Sequence, residues 1–255
     1  MTRFTGFLPD PRRPVGALIG SAIRARRVGL DLPRSTSLLN WHRPQQQHAN
    51  DCVLQSMRQM AYVWCGSRGL DIPNLSSYFG YWATRRHVWM RSEMMDRGSY
   101  PTSAIWAVKK FGLCTEKDWP STRPLDAGTE PWSWSWMLGR KHRLDCRTIY
   151  DNGDNLILRI KDCLVKGYPV MLALRVDDAF TRDHVDGTDD ERIAPPTNPT
   201  NMAHAVTAVG YEPGYIRIVN SWGITWRTRG TALLSNEYVK EALHVSYCKE
   251  VMLRA

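Results

Sequence analysis

A cysteine, a histidine and an asparagine can together supply a nucleophile, its proton carrier and the group that orients that carrier, and three stretches of this chain hold them. Cys52 follows Asn50-Asp51, either of which can cap a helix start, and opens a run in which Val53, Leu54, Met57, Met60, Ala61 and Trp64 mark one apolar helix face until Gly66. A thiol in the first turn of that helix meets unpaired backbone N–H groups and the positive end of the helix dipole, and both favour thiolate over thiol. His204 lies in Ala203-His204-Ala205-Val206-Thr207-Ala208-Val209-Gly210-Tyr211, and Asn220 in Ile216-Arg217-Ile218-Val219-Asn220-Ser221-Trp222-Gly223. Each stretch reads as a short strand, with Glu212-Pro213-Gly214 as the turn between them. In the resulting hairpin the Asn220 amide oxygen can accept from one imidazole N–H of His204, which fixes the tautomer and leaves the other ring nitrogen to serve a nucleophile.

The elements that must hold these residues follow from pattern. Residues 1–45 are rich in Pro and Arg, with one short helix expected around Gly16 to Arg27, and Gln45-Gln46-Gln47 forms a polar approach to Cys52. Beyond the nucleophile helix, Ser76 to about His87 reads as a second helix whose Tyr78, Phe79, Tyr81 and Trp82 belong to a core. Ser103 to Phe111 reads as a third, closed by Gly112. From about Pro120 to Asn152 the pattern is irregular, and the alternation Trp132-Ser133-Trp134-Ser135-Trp136 places three tryptophans on one face of a strand, packed between two lobes. Asn155 to Lys166 is a helix with apolar Leu156, Ile157, Ile160, Cys163 and Leu164, and Pro169 to Val176 is a buried strand. Arg182 to Met202 is a long polar loop. Trp226 to Leu234 reads as a strand, Asn236 to Leu243 as a helical turn and His244 to Leu253 as a final strand.

Composition narrows the function classes. At 255 residues with 43% hydrophobic and 23% charged residues, the chain is ordinary globular material. No run reaches the roughly 18 apolar residues a membrane span needs. Val15 to Gly20 is too short for the roughly 7–15-residue core of a secretory leader, so no secretion signal is expected. The net charge of +9 comes largely from dispersed arginine, without the aromatic-interleaved pattern of an RNA-binding surface, so no specific nucleic acid is expected. The basic arm carrying Arg12, Arg13 and Arg24 to Arg27 is suited to holding neighbouring subunits of a large assembly. Six cysteines contain no C-x-x-C pair, and setting Cys52 aside leaves an odd five, which disfavours a disulfide framework and points to a reducing compartment. The histidines form no two-His helix motif with a carboxylate, so neither a metal site nor an organic cofactor is expected.

From about Gly6 to Glu250 the chain resembles the papain-like cysteine peptidases, especially their bacterial and viral branch. Gln46, six residues before Cys52, matches that family's oxyanion-hole glutamine, and the segments around His204 and Asn220-Ser221-Trp222-Gly223 match its His and Asn segments. Gly6-Phe7-Leu8-Pro9-Asp10-Pro11, Lys110-Phe111-Gly112-Leu113-Cys114 before Trp119-Pro120, and Gly167-Tyr168-Pro169-Val170 are weaker echoes in the same order. The resemblance implies an α+β, two-lobed fold: an arm over 1–45, a helical lobe over 46–125 carrying the nucleophile, and an antiparallel, barrel-like β-rich lobe over 126–255 carrying His and Asn. It implies hydrolysis of peptide bonds by Cys52, His204 and Asn220 with Gln46 at the oxyanion, Trp222 covering the His–Asn pair, and Gly98 and Ser99 along the substrate backbone. The chain departs from the family pattern at Asp51, Val53 and Arg227. Two other readings use the same fold: a structural component of a phage particle or other large assembly with an idle site, and an amidase of bacterial cell-wall peptides. The expected location is cytoplasmic or virion-associated.

Overall fold

The computed structural model describes residues 31–88, 96–121, 130–183, 191–197 and 202–254. The helix expected around Gly16 to Arg27, the basic arm and the Gly6 to Pro11 motif lie outside the described residues. The end of the arm region is not separate from the body. Thr36–Ser37 forms β1, paired antiparallel with Tyr211 and Gly210 of the strand that carries His204, and Leu38 donates its N–H to Val209 O at 2.6 Å.

Helix α1, Cys52–Gly66, is the centre of the molecule. An amphipathic helix with one apolar face was expected, yet every residue from Cys52 to Cys65 is buried. Polar side chains survive there because each finds a partner, as burial demands. Arg58 donates to Leu75 O at 3.0 Å, to Gln55 Oε1 at 2.7 Å and to Glu116 Oε1 at 3.0 Å. Helices α2 (Ser77–Ala83, continued by one π turn over Thr84–Val88), α3 (Pro101–Lys110) and α4 (Ser133–Gly139) complete the helical side. Ser76 caps α2 by accepting from Phe79 N–H at 3.0 Å, and Pro101 starts α3, where its missing N–H costs nothing.

The strand expected at Trp132 to Trp136 is instead α4. On a helix the i, i+4 pair Trp132 and Trp136 lies on one side, and both pack against the cluster of Phe79, Phe111 and Trp119. Trp136 packs edge-on to Phe79 and Phe111 at 4.9 and 5.0 Å, whereas Trp132 stacks on Trp134, which is 48% exposed. Packing of the half-buried Trp136 against the aromatics of α2 and α3 outweighs the weak local preference for a strand. It also places α4 with the helical side, although it follows residue 126. The irregular reading of 120–152 missed β2, His142–Ile149, because its alternating polar residues carry little hydrophobic signal.

The remaining elements are α5 (Gly153–Val165), β3 (Val170–Arg175), α6 (Asp178–Thr181), β4 (Arg192–Ile193), β5 (Ala203–Glu212), β6 (Tyr215–Val219), β7 (Thr231–Ser235), α7 (Asn236–Lys240) and β8 (His244–Leu253). The strand order is β2-β8-β3-β5-β6-β7-β4, with β1 against β5. All named pairs are antiparallel except β4 with β7. Two readings shift. The polar stretch after Arg182 contains β4, and the strand expected from Trp226 begins only at Thr231, after a turn that holds two non-glycine residues at positive φ, Arg227 (44°) and Arg229 (54°).

One face of α1 packs on β5, β3 and β8. At its middle, Ser56 Oγ lies 2.8 Å from Thr207 Oγ1 and 3.1 Å from Val206 O, while Thr207 Oγ1 donates to Ser56 O at 3.2 Å. This polar staple between the two sides fixes where α1 sits along β5, and so how far Cys52 stands from His204. The helical side is closed by Gly112, at φ 71°, where a Cβ would fall 1.9 Å from Gly139 O. Gly112→Ala should therefore lower unfolding stability by roughly 2–4 kcal/mol, measured by urea denaturation, because neither the backbone angle nor the close approach of α4 tolerates a side chain.

Candidate active site

The hairpin β5–β6 forms as the sequence implied. Thr207 pairs with Val219, and extending that antiparallel register places His204 across from Trp222. The two rings stack, with centroids 4.3 Å apart and planes at 25°. His204 Nε2 lies 2.7 Å from Asn220 Oδ1. The same oxygen accepts the Ser221 N–H at 2.7 Å, which orients the amide with its carbonyl toward the ring, so Nε2 must carry the hydrogen. Nδ1 is thereby the nitrogen that can exchange a proton with a nucleophile. His204 has no solvent exposure and Trp222 only 1%, so water does not compete for the Nε2 bond. Phe180 from α6 adds a wall, edge-on to both His204 and Trp222.

The segment after Asn220 is stitched to the approach to Cys52. Gln46 and Trp222 form an antiparallel bridge, Gln47 N–H donates to Ser221 O at 2.7 Å and Gly223 N–H to Gln45 O at 2.8 Å. Side chains over 45–49 alternate in consequence: Gln45, Gln47 and Ala49 are buried, Gln46 and His48 exposed. Gln46 thus points outward beside Gly223, whose φ is 80° and where a Cβ would lie 2.3 Å from Gln46 Oε1. Gln47 was read only as part of a polar loop, yet it locks the arrangement: its Oε1 accepts from Ser221 Oγ at 2.8 Å and its Nε2 donates to Ala49 O at 2.6 Å. Only the pairing of two extended segments distinguishes Gln47 from Gln46, and that pairing has no signature within the Gln triplet itself.

Cys52 opens α1 and packs in one cluster with Ala203 and Ala205, the residues on either side of His204. His204, Asn220, Gln46 and Trp222 therefore gather in one place, and Cys52 opens the helix that packs on the His204 strand. Gly98 and Ser99 reach it by another route. Asp96 accepts from Asn50 N–H at 2.8 Å and from Tyr81 OH at 3.0 Å, and Tyr81 OH in turn accepts from Gly98 N–H at 2.8 Å. Gly98 O accepts from Arg85 at 2.8 Å, so both polar groups of Gly98 are engaged, and the residue is buried at φ 84°. Ser99 is 1% exposed, so its side chain faces inward.

The three departures each have a visible cost or use. Val53 is buried in the core cluster of α1. Arg227 turns inward and donates to Ala179 O in α6, so its guanidinium braces the turn after Trp226. Asp51, one of the two candidates for the cap of α1 with Asn50, makes no cap bond with its side chain. Its Oδ2 accepts instead from Gln55 Nε2 at 3.0 Å, deep in the helical side. Removal from water pushes its carboxyl up to about 7, against the opposing pull of Ser77, Arg58 and Gln55.

The sequence profile described as papain family cysteine protease matches residues 94–248, more than half of the chain. The chain belongs to the papain family of cysteine proteases. It is accordingly a cysteine-type peptidase, with polypeptide as its substrate. The matched span holds His204, Asn220 and the Gly98 strip, while Cys52 and Gln46 precede it. Among solved structures, the cysteine protease xylellain from Xylella fastidiosa matches with a TM-score of 0.73 at 18% identity, over 100% of this chain and 99% of that one. The cysteine protease CMS1MS2 of Carica candamarcensis, solved in complex with E-64, matches with a TM-score of 0.61 at 18% identity, over 88% and 100%. Procathepsin B S9 from Trypanosoma congolense matches with a TM-score of 0.67 at 14% identity, over 96% and 85%. No curated protein matches by sequence. These papain-family structures share the mixed α+β architecture described above.

Asp51 also gives the fold a pH dependence whose sign is fixed. A carboxyl that binds its proton more tightly when folded makes the native state lose stability as pH rises from about 4 to 7, with a limiting slope of about 1.4 kcal/mol per pH unit. Asp51→Asn should remove that component, so urea midpoints of wild type and variant should converge at low pH and separate in favour of the variant toward neutrality.

Proposed function

We propose that this papain-family protease cleaves peptide bonds by acyl transfer to Cys52. The observation that carries the proposal is the stitched arrangement itself: an imidazole with Nε2–H locked onto Asn220, sealed under Trp222, and joined by backbone pairing to the segment that presents Gln46 and leads into Cys52.

Cys52 begins as thiolate, supported by the start of α1 and by the imidazolium of His204. The sulfur attacks the carbonyl carbon of the scissile amide. The tetrahedral oxyanion is held by the Cys52 backbone N–H and Gln46 Nε2, donors aimed where charge develops. His204 Nδ1–H protonates the leaving amine. It then takes a proton from water, which releases the acyl group from sulfur, and Asn220 keeps the ring oriented through both steps. The readings as a particle component or a cell-wall amidase gain no support from the fold or the family.

Cys52→Ala and His204→Ala should each reduce hydrolysis of a mixed peptide library to background, and a peptidyl epoxide should label Cys52 in the wild type alone. Labelling of another cysteine, or turnover by Cys52→Ala, would contradict the assignment. Gln46→Ala removes the carboxamide, so kcat should fall by about 10²–10³ with little change in KM. An unchanged kcat would remove Gln46 from the oxyanion site.

A further inference from the structure

Asp51 stands one residue before the proposed nucleophile and has no solvent exposure. A helix start is the one place where a short carboxylate ordinarily gains by turning onto the first N–H groups. Asp51 forgoes this, and α1 begins without a side-chain cap. Its carboxyl is directed into the helical side, where Oδ2 holds the Gln55 amide and Oδ1 makes no hydrogen bond of ordinary length. Among the described residues Arg58 is the cation that acts on it, and its donors go to Leu75 O, Glu116 and Gln55, so none of them makes an ion pair with the carboxylate. Such a site favours the neutral acid.

Resting on the reading of Cys52 as nucleophile, we propose that Asp51 is a positioning residue that sets the alkaline limit of catalysis: protonated, it leaves the thiolate unopposed, and ionised, it places a buried negative charge one residue from the sulfur and disfavours the thiolate. Every charged or titratable neighbour contributes in a known direction. On α1, Arg58 draws Asp51 toward ionisation. On α2, the Ser77 hydroxyl also favours the carboxylate, and Tyr78 is itself raised by burial and by Asp51. From the Gly98 strip, Asp96 opposes ionisation, and Glu116 lies behind Arg58, which it neutralises. Removal from water outweighs the groups that favour the carboxylate, and the resulting value of about 7 lies where a peptidase can use it.

The consequence is a two-state nucleophile. At mildly acidic pH, Asp51 is an acid, and the thiolate and imidazolium persist as a pair. As pH rises, Asp51 releases its proton to solvent, the nearby anion raises the cost of the thiolate, and reactivity falls. A carboxamide cannot make that change.

The test compares wild type with Asp51→Asn, by the pH dependence of kcat/KM on a peptide substrate and of the iodoacetamide rate at Cys52. Wild type should lose kcat/KM by up to about tenfold per pH unit above the Asp51 transition, while Asp51→Asn should hold its plateau to higher pH, with the alkylation rate moving in parallel. Superimposable alkaline limbs would overturn the proposal. So would a variant merely scaled down at every pH, the result a structural role would give. Failure of the nucleophile assignment reads differently: Cys52 would then alkylate no faster than the other cysteines in either protein. Should Asp51→Asn not fold, 13C-carboxyl NMR of the wild type decides. An aspartate titrating near neutrality is expected, and every aspartate titrating in the ordinary carboxylate range would overturn the proposal.

Discussion

The bond from His204 Nε2–H to Asn220 Oδ1, 2.7 Å long and covered by Trp222, is the constraint from which the rest of the site takes its shape. An imidazole on a strand can rotate and exchange tautomers, and neither freedom suits a proton carrier. Asn220 removes both, because its oxygen already accepts from the Ser221 backbone and cannot turn away. Stacking by Trp222 and the wall from Phe180 keep the bond dry, so the orientation persists through cycles of protonation.

The backbone around that bond extends the order outward. The pairing of residues 45–47 with 221–223 means that the strand orienting the histidine also sets the line on which Gln46 and Cys52 arrive. The Ser56–Thr207 staple fixes the same relation one turn further along α1. Asp96 and Tyr81 tie Asn50 to Gly98, bringing the far edge of the site under the same control. None of the six cysteines is in a disulfide and all are buried, so these couplings rest on hydrogen bonds and packing, with burial pushing the Cys163 thiol up to about 12 and the Cys65 thiol to about 11.

Much of this was legible in the sequence wherever local chemistry and periodicity agree. The β5–β6 hairpin announces itself by apolar runs flanking Pro213-Gly214, and the meeting of His204 with Asn220 follows from strand pairing alone. The start of α1, the end of α3 at Gly112 and helix α5 were legible for similar reasons. What escaped is what only tertiary packing decides. Trp132 to Trp136 alternates like a strand, yet α4 forms because Trp136 finds a pocket among Phe79, Phe111 and Trp82. Strand β2 carries too few apolar residues to be read alone, and needs β8 beside it. The polar residues of α1 looked like a solvent face until Gln55 and Arg58 proved to be bonded in the core. Asp51 read as a cap, and Gln47 and Gln46 read alike, although one is buried against Ser221 and the other faces out.

The central claim is that Asn220 holds His204 as its Nε2–H tautomer in a dry setting. The direct measurement is 15N NMR of histidine-labelled protein, following the His204 ring nitrogens across pH and during hydrogen exchange. The account predicts a proton on Nε2 at every pH, slow to exchange with solvent, with titration confined to Nδ1, and loss of that protection in Asn220→Ala. A His204 ring that carries its proton on Nδ1 when neutral, or an Nε2–H that exchanges as fast as those of exposed histidines, would contradict it.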